Sequence, residues 1–189
     1  MDKKNNIITR TANPGDHIYA SVISVTMEES AKQRGTGISK RSPESILKKM
    51  EEGKAVVAVT ETGEWVGFAY IEVWSNGEFV SNSGMIVHPH FRGKGIARLL
   101  KNKVFVLARS KYPQAKIFSI TTAAAMMRMN SALGFQPVIY DALPADGKFW
   151  MSCESCVNYA ILKSKCYRNC LCTAMLFSPE SVTLPVTII

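Results

Sequence analysis

Residues 83–109 read SGMIVHPHFRGKGIARLLKNKVFVLAR, a strand, a tight turn and a helix in one run. Met85-Ile86-Val87 is a short apolar strand, and Pro89 ends it because proline has no N–H to give a ladder. Beyond the turn, Ile96, Leu99, Leu100, Val104 and Leu107 recur at the i, i+3, i+4 spacing of a buried helix face. Between them lies Arg92-Gly93-Lys94-Gly95-Ile96-Ala97. A glycine turn at the mouth of a helix leaves several backbone N–H groups unpaired, and the helix dipole adds to their field, so the turn is suited to an anion. Without Cβ atoms at Gly93 and Gly95, a phosphate can come close to the backbone. The spacing is neither the GxGxxG of a dinucleotide fold nor the GxxxxGK[ST] of a P-loop.

Outward from this run, the chain before it predicts an edge strand around Ile7 and Ile8. A helix follows over 14–32, with Ile18, Val22, Val25 and Met27 as its apolar stripe. Ser42-Pro43-Glu44 reads as a helix start, with a capping hydroxyl, a proline at the first position and an acid near the positive end; Gly53 stops that helix. Residues 54–60, 65–74 and 78–87 read as three antiparallel strands, turned by Thr62-Gly63 and by Asn76-Gly77. After the central helix come a buried strand at 116–121, an Ala- and Met-rich helix at 123–133, a strand from Val138 and a last strand near 171–177. The tail 178–189 reads as either an unstructured end or an edge strand.

The chain has 189 residues and predicts one domain, 1–177, with a cysteine-rich insertion at about 141–172. Its net charge is +8, and eight Lys or Arg residues with no acid lie between Arg92 and Lys116. That block surrounds the glycine turn and fits a multiply phosphorylated small molecule. No aromatic-basic interleaving points to nucleic acid. The N-terminal MDKKNNIITR has no apolar core of a signal peptide, and no apolar run approaches a membrane span. A soluble cytoplasmic protein without membrane or nucleic-acid partners is expected. Its oligomeric state is open, a homodimer being among the options. Five cysteines, all after residue 152, argue against a disulfide framework. Cys153, Cys156, Cys170 and Cys172 are spaced compatibly with a structural tetrahedral zinc, or else are reduced thiols packed near the last strand.

The pattern Arg92-x-x-Gly95-x-Ala97 after Val87-His88-Pro89 resembles the acyl-CoA pyrophosphate loop of the GNAT superfamily of N-acyltransferases. The element order also matches that fold. The resemblance implies an α/β architecture, a central mixed and mostly antiparallel sheet with helices on both faces. It also implies a splayed parallel pair of strands, here 85–87 and 118–120, with the pantetheine arm in the gap. Acetyl-CoA or another short acyl-CoA is the implied co-substrate, held by Met85, Ile86 and Val87 and by Arg92, Gly93, Lys94, Gly95, Ile96 and Ala97. Family members transfer the acyl group to an amine, with backbone N–H groups of the splayed strand polarising the thioester carbonyl.

The family's catalytic groups match incompletely. No acid stands at Ser81-Asn82-Ser83, so Glu72 is the candidate base, with Glu78 next, unless Glu72 only faces solvent. The family's acid is a tyrosine four residues before Gly-Phe; before Gly134-Phe135 that position is Asn130, which can donate a hydrogen bond but not a proton. For the acceptor, Arg34, Lys40 and Arg41 on the loop between the first two helices, Ser83, and Arg128 on the fourth helix favour an acidic molecule over a polycation. RGTGISKRSPESI, FVSNSGMIVHP, MNSALGF and FWMSCESCVNYAIL resemble a bacterial GNAT subgroup associated with arginine biosynthesis, regarded as N-acylglutamate synthases. The resemblance implies acetyl or succinyl transfer to glutamate. Protein amine acetylation, and a non-catalytic acyl-CoA-binding or zinc-dependent interaction module, are the alternatives.

Overall fold

The computed structural model describes residues 6–35 and 40–182; the side chain of Arg34 and the tail beyond 182 lie outside the described part. Seven strands among the described residues form one sheet: β1 Ile7–Thr11, β2 Ala55–Thr60, β3 Trp65–Trp74, β4 Phe79–Val87, β5 Lys116–Thr121, β6 Gln136–Val138 and β7 Thr173–Phe177. Their order is β1-β2-β3-β4-β5-β7-β6, and only β4–β5 is parallel. The helices are α1 Ala20–Arg34, α2 Pro43–Glu51, α3 Ile96–Lys111, α4 Ala124–Ala132, α5 Gly147–Met151 and α6 Tyr159–Ser164.

Strand alternation sorts the core into faces. Val56, Ala58, Val66, Ala69, Ile71, Val80 and Ile117 pack with Ile96, Leu100, Val104 and Leu107 of α3. Their neighbours Ala55, Val57, Trp65, Phe68 and Tyr70 pack with Ala20, Ile23 and Met27 of α1 and with Ile46 and Met50 of α2. Helices therefore cover both faces, as expected. Further along, on the face opposite α3, residues 140–162 do what α1 and α2 do elsewhere: Tyr140, Leu143, Phe149, Trp150 and Leu162 pack onto Phe79, Phe118 and Ala174.

Two expected stripes are corrected. On α1, Ile18, Val22 and Val25 are exposed, and of the four expected residues only Met27 is buried. The segment opens as a 3-10 turn, Pro14–Tyr19, before becoming α-helical. Within α1 the buried face runs through Ala20, Ile23, Met27 and Ser30, at i, i+3, i+7 and i+10, and Val22 and Val25 lie off it. Small residues then face the sheet, with Ala20 and Ser30 buried beside Ile23. On α3, Leu99 is exposed, and Lys101 is buried in its stead. The start of α2 follows expectation: Ser42 Oγ accepts a hydrogen bond from Ser45 N at 3.2 Å.

Candidate active site

The site begins where the parallel pair comes apart. Pairing between β4 and β5 runs through Phe79–Lys116, Val80–Ile117 and Ser81–Phe118, and no further pair follows. From Asn82 onward β4 has an edge without a strand partner on that side. On its other side, β4 pairs Ser83 with Tyr70 but Ile86 with Phe68, so one extra residue bulges out at Gly84–Met85. Gly84 has φ +59°, and a Cβ there would lie 2.2 Å from the Tyr70 ring. Only glycine meets both demands.

The gap opens into a cleft of about 600 Å³. Asn82, Ser83, Gly84 and Met85 form one side and residues 119–123 the other, while Lys101 and Val104 of α3 also line it. The outer rim comes from Arg41, Lys49, Tyr70 and Glu72, and from Phe149, Cys153, Cys156 and Cys172 of the insertion. Arg41 Nε donates to the Tyr70 hydroxyl. Lys49 Nζ holds both oxygens of Glu72, at 2.8 and 2.6 Å. The two rims meet where Lys40 N donates to Ser155 Oγ at 2.8 Å. The Asn82 side-chain amide has no protein partner for its nitrogen or its oxygen.

At its N-terminus, α3 carries no side-chain cap. Gly93 and Gly95 have φ +77° and +79°, and the space a Cβ would fill is open at both. The unpaired amides of the first turn therefore face an uncrowded surface, where an anion is stabilised. Arg92 does not join them. Its guanidinium turns back to donate to Val87 O at 3.2 Å and Ser30 Oγ at 2.7 Å, bracing the turn against β4 and α1.

The model of the acetyltransferase (GNAT) family matches residues 24–135, more than half the chain. The chain belongs to the GNAT family. A histidine N-acetyltransferase of Scomber australasicus is 32% identical over 71 residues, which make up 38% of this chain and 21% of that protein. The chain thus spans about a fifth of this relative's length. The N-acetylglutamate synthase of Neisseria gonorrhoeae, solved with coenzyme A and N-acetyl-glutamate, superposes with a TM-score of 0.65 at 17% identity, covering 93% of this chain and 36% of that one. A putative acetyltransferase of Salmonella typhimurium, solved with acetyl-CoA, gives 0.62 at 19% identity and covers 97% and 99% of the two chains. At these identities the likeness to the solved structures is one of fold.

Within this GNAT cleft the expected residues separate into groups. Glu72, Arg41, Ser83 and Met85 line it together. Ser83 Oγ lies 3.0 Å from Ser81 Oγ, which in turn accepts from Trp74 Nε1 at 3.0 Å. Gly93 to Ala97 form the turn at the α3 terminus. Ile86 is buried against the α1 and α2 side and Val87 packs on the α3 side, so these two offer backbone only. Lys40 stands on the rim, with Nζ 3.7 Å from Glu28. Arg128 is exposed and is not among the lining residues. Asn130 is fully buried, its amide nitrogen 3.5 Å from Met175 Sδ, and it does not line the cleft either.

The zinc expectation is corrected. Among the described residues no three His, Cys, Asp or Glu side chains are grouped to hold a metal. Local contacts occupy the thiols: Cys156 Sγ accepts from Asn158 N at 3.4 Å, and Cys170 Sγ approaches Asn158 O at 3.9 Å. Burial, reinforced by the neighbouring thiols, pushes Cys172 up to about 12, and burial also raises Cys153. Both are protonated at neutral pH and pack as small apolar groups.

Sequence reading missed two lysines. Lys49 sits on the buried side of α2 and reaches Glu72. Lys101 enters the sequence reading only as one charge of the basic block, yet only 2% of it is exposed, with Nζ 4.8 Å from the centre of the Phe135 ring. Burial lowers its pKa from 10.5 to about 7. The signal was positional: Lys101 is four residues after Ala97 and three before Val104, inside the helix's core-facing arc.

Proposed function

We propose that this chain transfers an acyl group from an acyl-CoA to the amine of a small acidic acceptor, with glutamate the favoured one. The carrying observation is the parting of β4 and β5 after Ser81–Phe118, which opens a cleft lined by α3, the helix whose uncapped N-terminus suits the phosphates of coenzyme A. The acceptor nitrogen attacks the thioester carbon, the C–S bond breaks, and the thiolate leaves. The unpaired edge of β4 beyond Ser81 offers backbone N–H groups to the carbonyl oxygen. Among the described residues Glu72 is the one carboxylate lining the cleft, and it takes the proton that the acceptor ammonium must lose. Positioning supplies much of the remaining rate, since a thiolate leaves readily.

Among the described residues three cations line the cleft, Arg41, Lys49 and Lys101, against Glu72 alone, which favours an acidic acceptor. Closure of the rims through Lys40 and Ser155 favours a small molecule over a protein amine. An acylated amino acid also accords with the arginine-biosynthesis subgroup that the sequence resembles, and with a cytoplasmic enzyme. The histidine N-acetyltransferase similarity makes histidine the reference acceptor. Thiol release should be measured with acetyl-CoA and succinyl-CoA against glutamate, glutamine, histidine and lysine. Glutamate is expected to give the highest kcat/KM. Equal turnover of lysine would overturn the acidic-acceptor assignment, and no release with any pair would overturn the acyltransferase assignment.

A further inference from the structure

Lys101 is the one charged side chain lining the cleft that has no charged or hydrogen-bonding protein partner among the described residues. Glu72 and Lys49 hold each other, and Arg41 is bonded to Tyr70 and, at 3.0 Å, to Lys40 O. The Lys101 amine lies over an aromatic face, that of Phe135. A buried ammonium is costly unless an anion joins it, and a ring face compensates only part of that cost. Five residues separate Lys101 from the first residue of α3, which places it about 7.5 Å along the axis from the open turn. It therefore lies inward of the phosphate-binding end, where Lys101 and Val104 line the gap between the strands. Asn82, on the same cleft, also carries an amide without a protein partner.

We infer that Lys101 is the counter-ion for a carboxylate carried into the cleft by a substrate. This rests on the acyltransferase reading and deepens it. A single buried amine matches one negative charge, whereas the phosphates of coenzyme A meet the exposed turn. A carboxylate can come from the far end of a dicarboxylic acyl group on the donor, or from the side chain of a dicarboxylic acceptor. In either case it turns a buried amine, whose protonation burial disfavours, into a desolvated ion pair with hydrogen bonds.

Calorimetry of acetyl-CoA and succinyl-CoA with the wild type and Lys101→Met, and saturation kinetics with glutamate and glutamine, separate the two sources. If the donor supplies the carboxylate, the variant binds succinyl-CoA roughly 30-fold more weakly while acetyl-CoA affinity holds. If the acceptor supplies it, KM for glutamate rises by a similar factor and KM for glutamine does not. Methionine suits a buried position, and a melting curve verifies that the variant is folded. Should it not fold, the wild type answers alone: a preference of less than about 3-fold both for succinyl-CoA over acetyl-CoA and for glutamate over glutamine overturns the inference. Acetyl-CoA binding with no response to either carboxylate overturns the inference and leaves the acyltransferase reading standing. Failure of both thioesters to bind overturns both.

Discussion

The two sides of the cleft handle polar groups in opposite ways. On the α2 and β3 side every charge has a protein partner: Lys49 holds Glu72, and Arg41 is bonded to Tyr70. On the α3 side the groups are open, with clear space where Gly93 and Gly95 lack a Cβ, and a buried amine at Lys101 over the Phe135 ring, without a charged or hydrogen-bonding partner among the described residues. An internally paired side is preorganised and tolerates an empty cleft. An open side is costly to the free protein and regains that cost when anions arrive. The difference marks α3 as the anion-receiving side and the α2 side as the one that positions the acceptor.

The largest effect should come from closing the open side. Lys101→Met removes the buried amine and should stabilise the free protein by on the order of 4 kcal/mol at pH 6.5, or about 10 °C in Tm. The folded amine titrates near 7 and the unfolded one near 10.5. Between these values the unfolded chain binds more protons, so wild-type stability rises with pH, and the gap to the variant should close by pH 10. A Tm that falls in the variant, with no pH trend, would mean that Lys101 is paired and that the two sides are alike.

Gly95→Val should weaken coenzyme A binding by about 100-fold or more, because a β-branched residue is strained at φ +79° and its Cβ fills the open space. Calorimetry reads this directly; unchanged affinity would remove the turn from the open side. Glu72→Gln should lower kcat by about 100-fold with little change in KM for acyl-CoA, as expected on loss of a general base. An undiminished kcat would leave the Lys49 pair a purely structural one. Arg41→Ala should raise KM for glutamate by roughly 10-fold, smaller because Arg41 is held at the rim by Tyr70 and its own loop. If KM for acyl-CoA moves instead, the assignment of sides is reversed.

Local chemistry explains what could be read in advance. The turn at Gly93–Gly95 and the α3 stripe of Ile96, Leu100, Val104 and Leu107 follow from backbone freedom and a clean 3.6-residue period. The α1 stripe differs from expectation because its buried face is built partly from small residues, Ala20 and Ser30, which a search for large apolar residues passes over in favour of Val22 and Val25. Lys101 was misread because a charge count takes no account of which arc of the helix a residue occupies. Asn130 and Arg128, both expected at the site, lie on one helix at positions whose orientation depends on how α4 meets β5 and β7, a tertiary matter. Cysteine spacing is compatible with a metal and with packing alike, and only the directions of the thiols separate the two.

The bulge at Gly84 has a consequence for the whole of β4. Ahead of it, even-numbered Val80 packs on the α3 side and odd-numbered Phe79 on the other. Past it, Met85 and Val87 pack on the α3 side and Ile86 on the other. The strand is thus written in two reading frames, joined at one glycine. Deleting that residue would make β4 a regular strand with every side chain on its present face, whereas flattening the bulge with the residue kept would turn Ile86 toward α3. The core therefore has no need of the extra residue, which falls where the backbone of β4 borders the cleft.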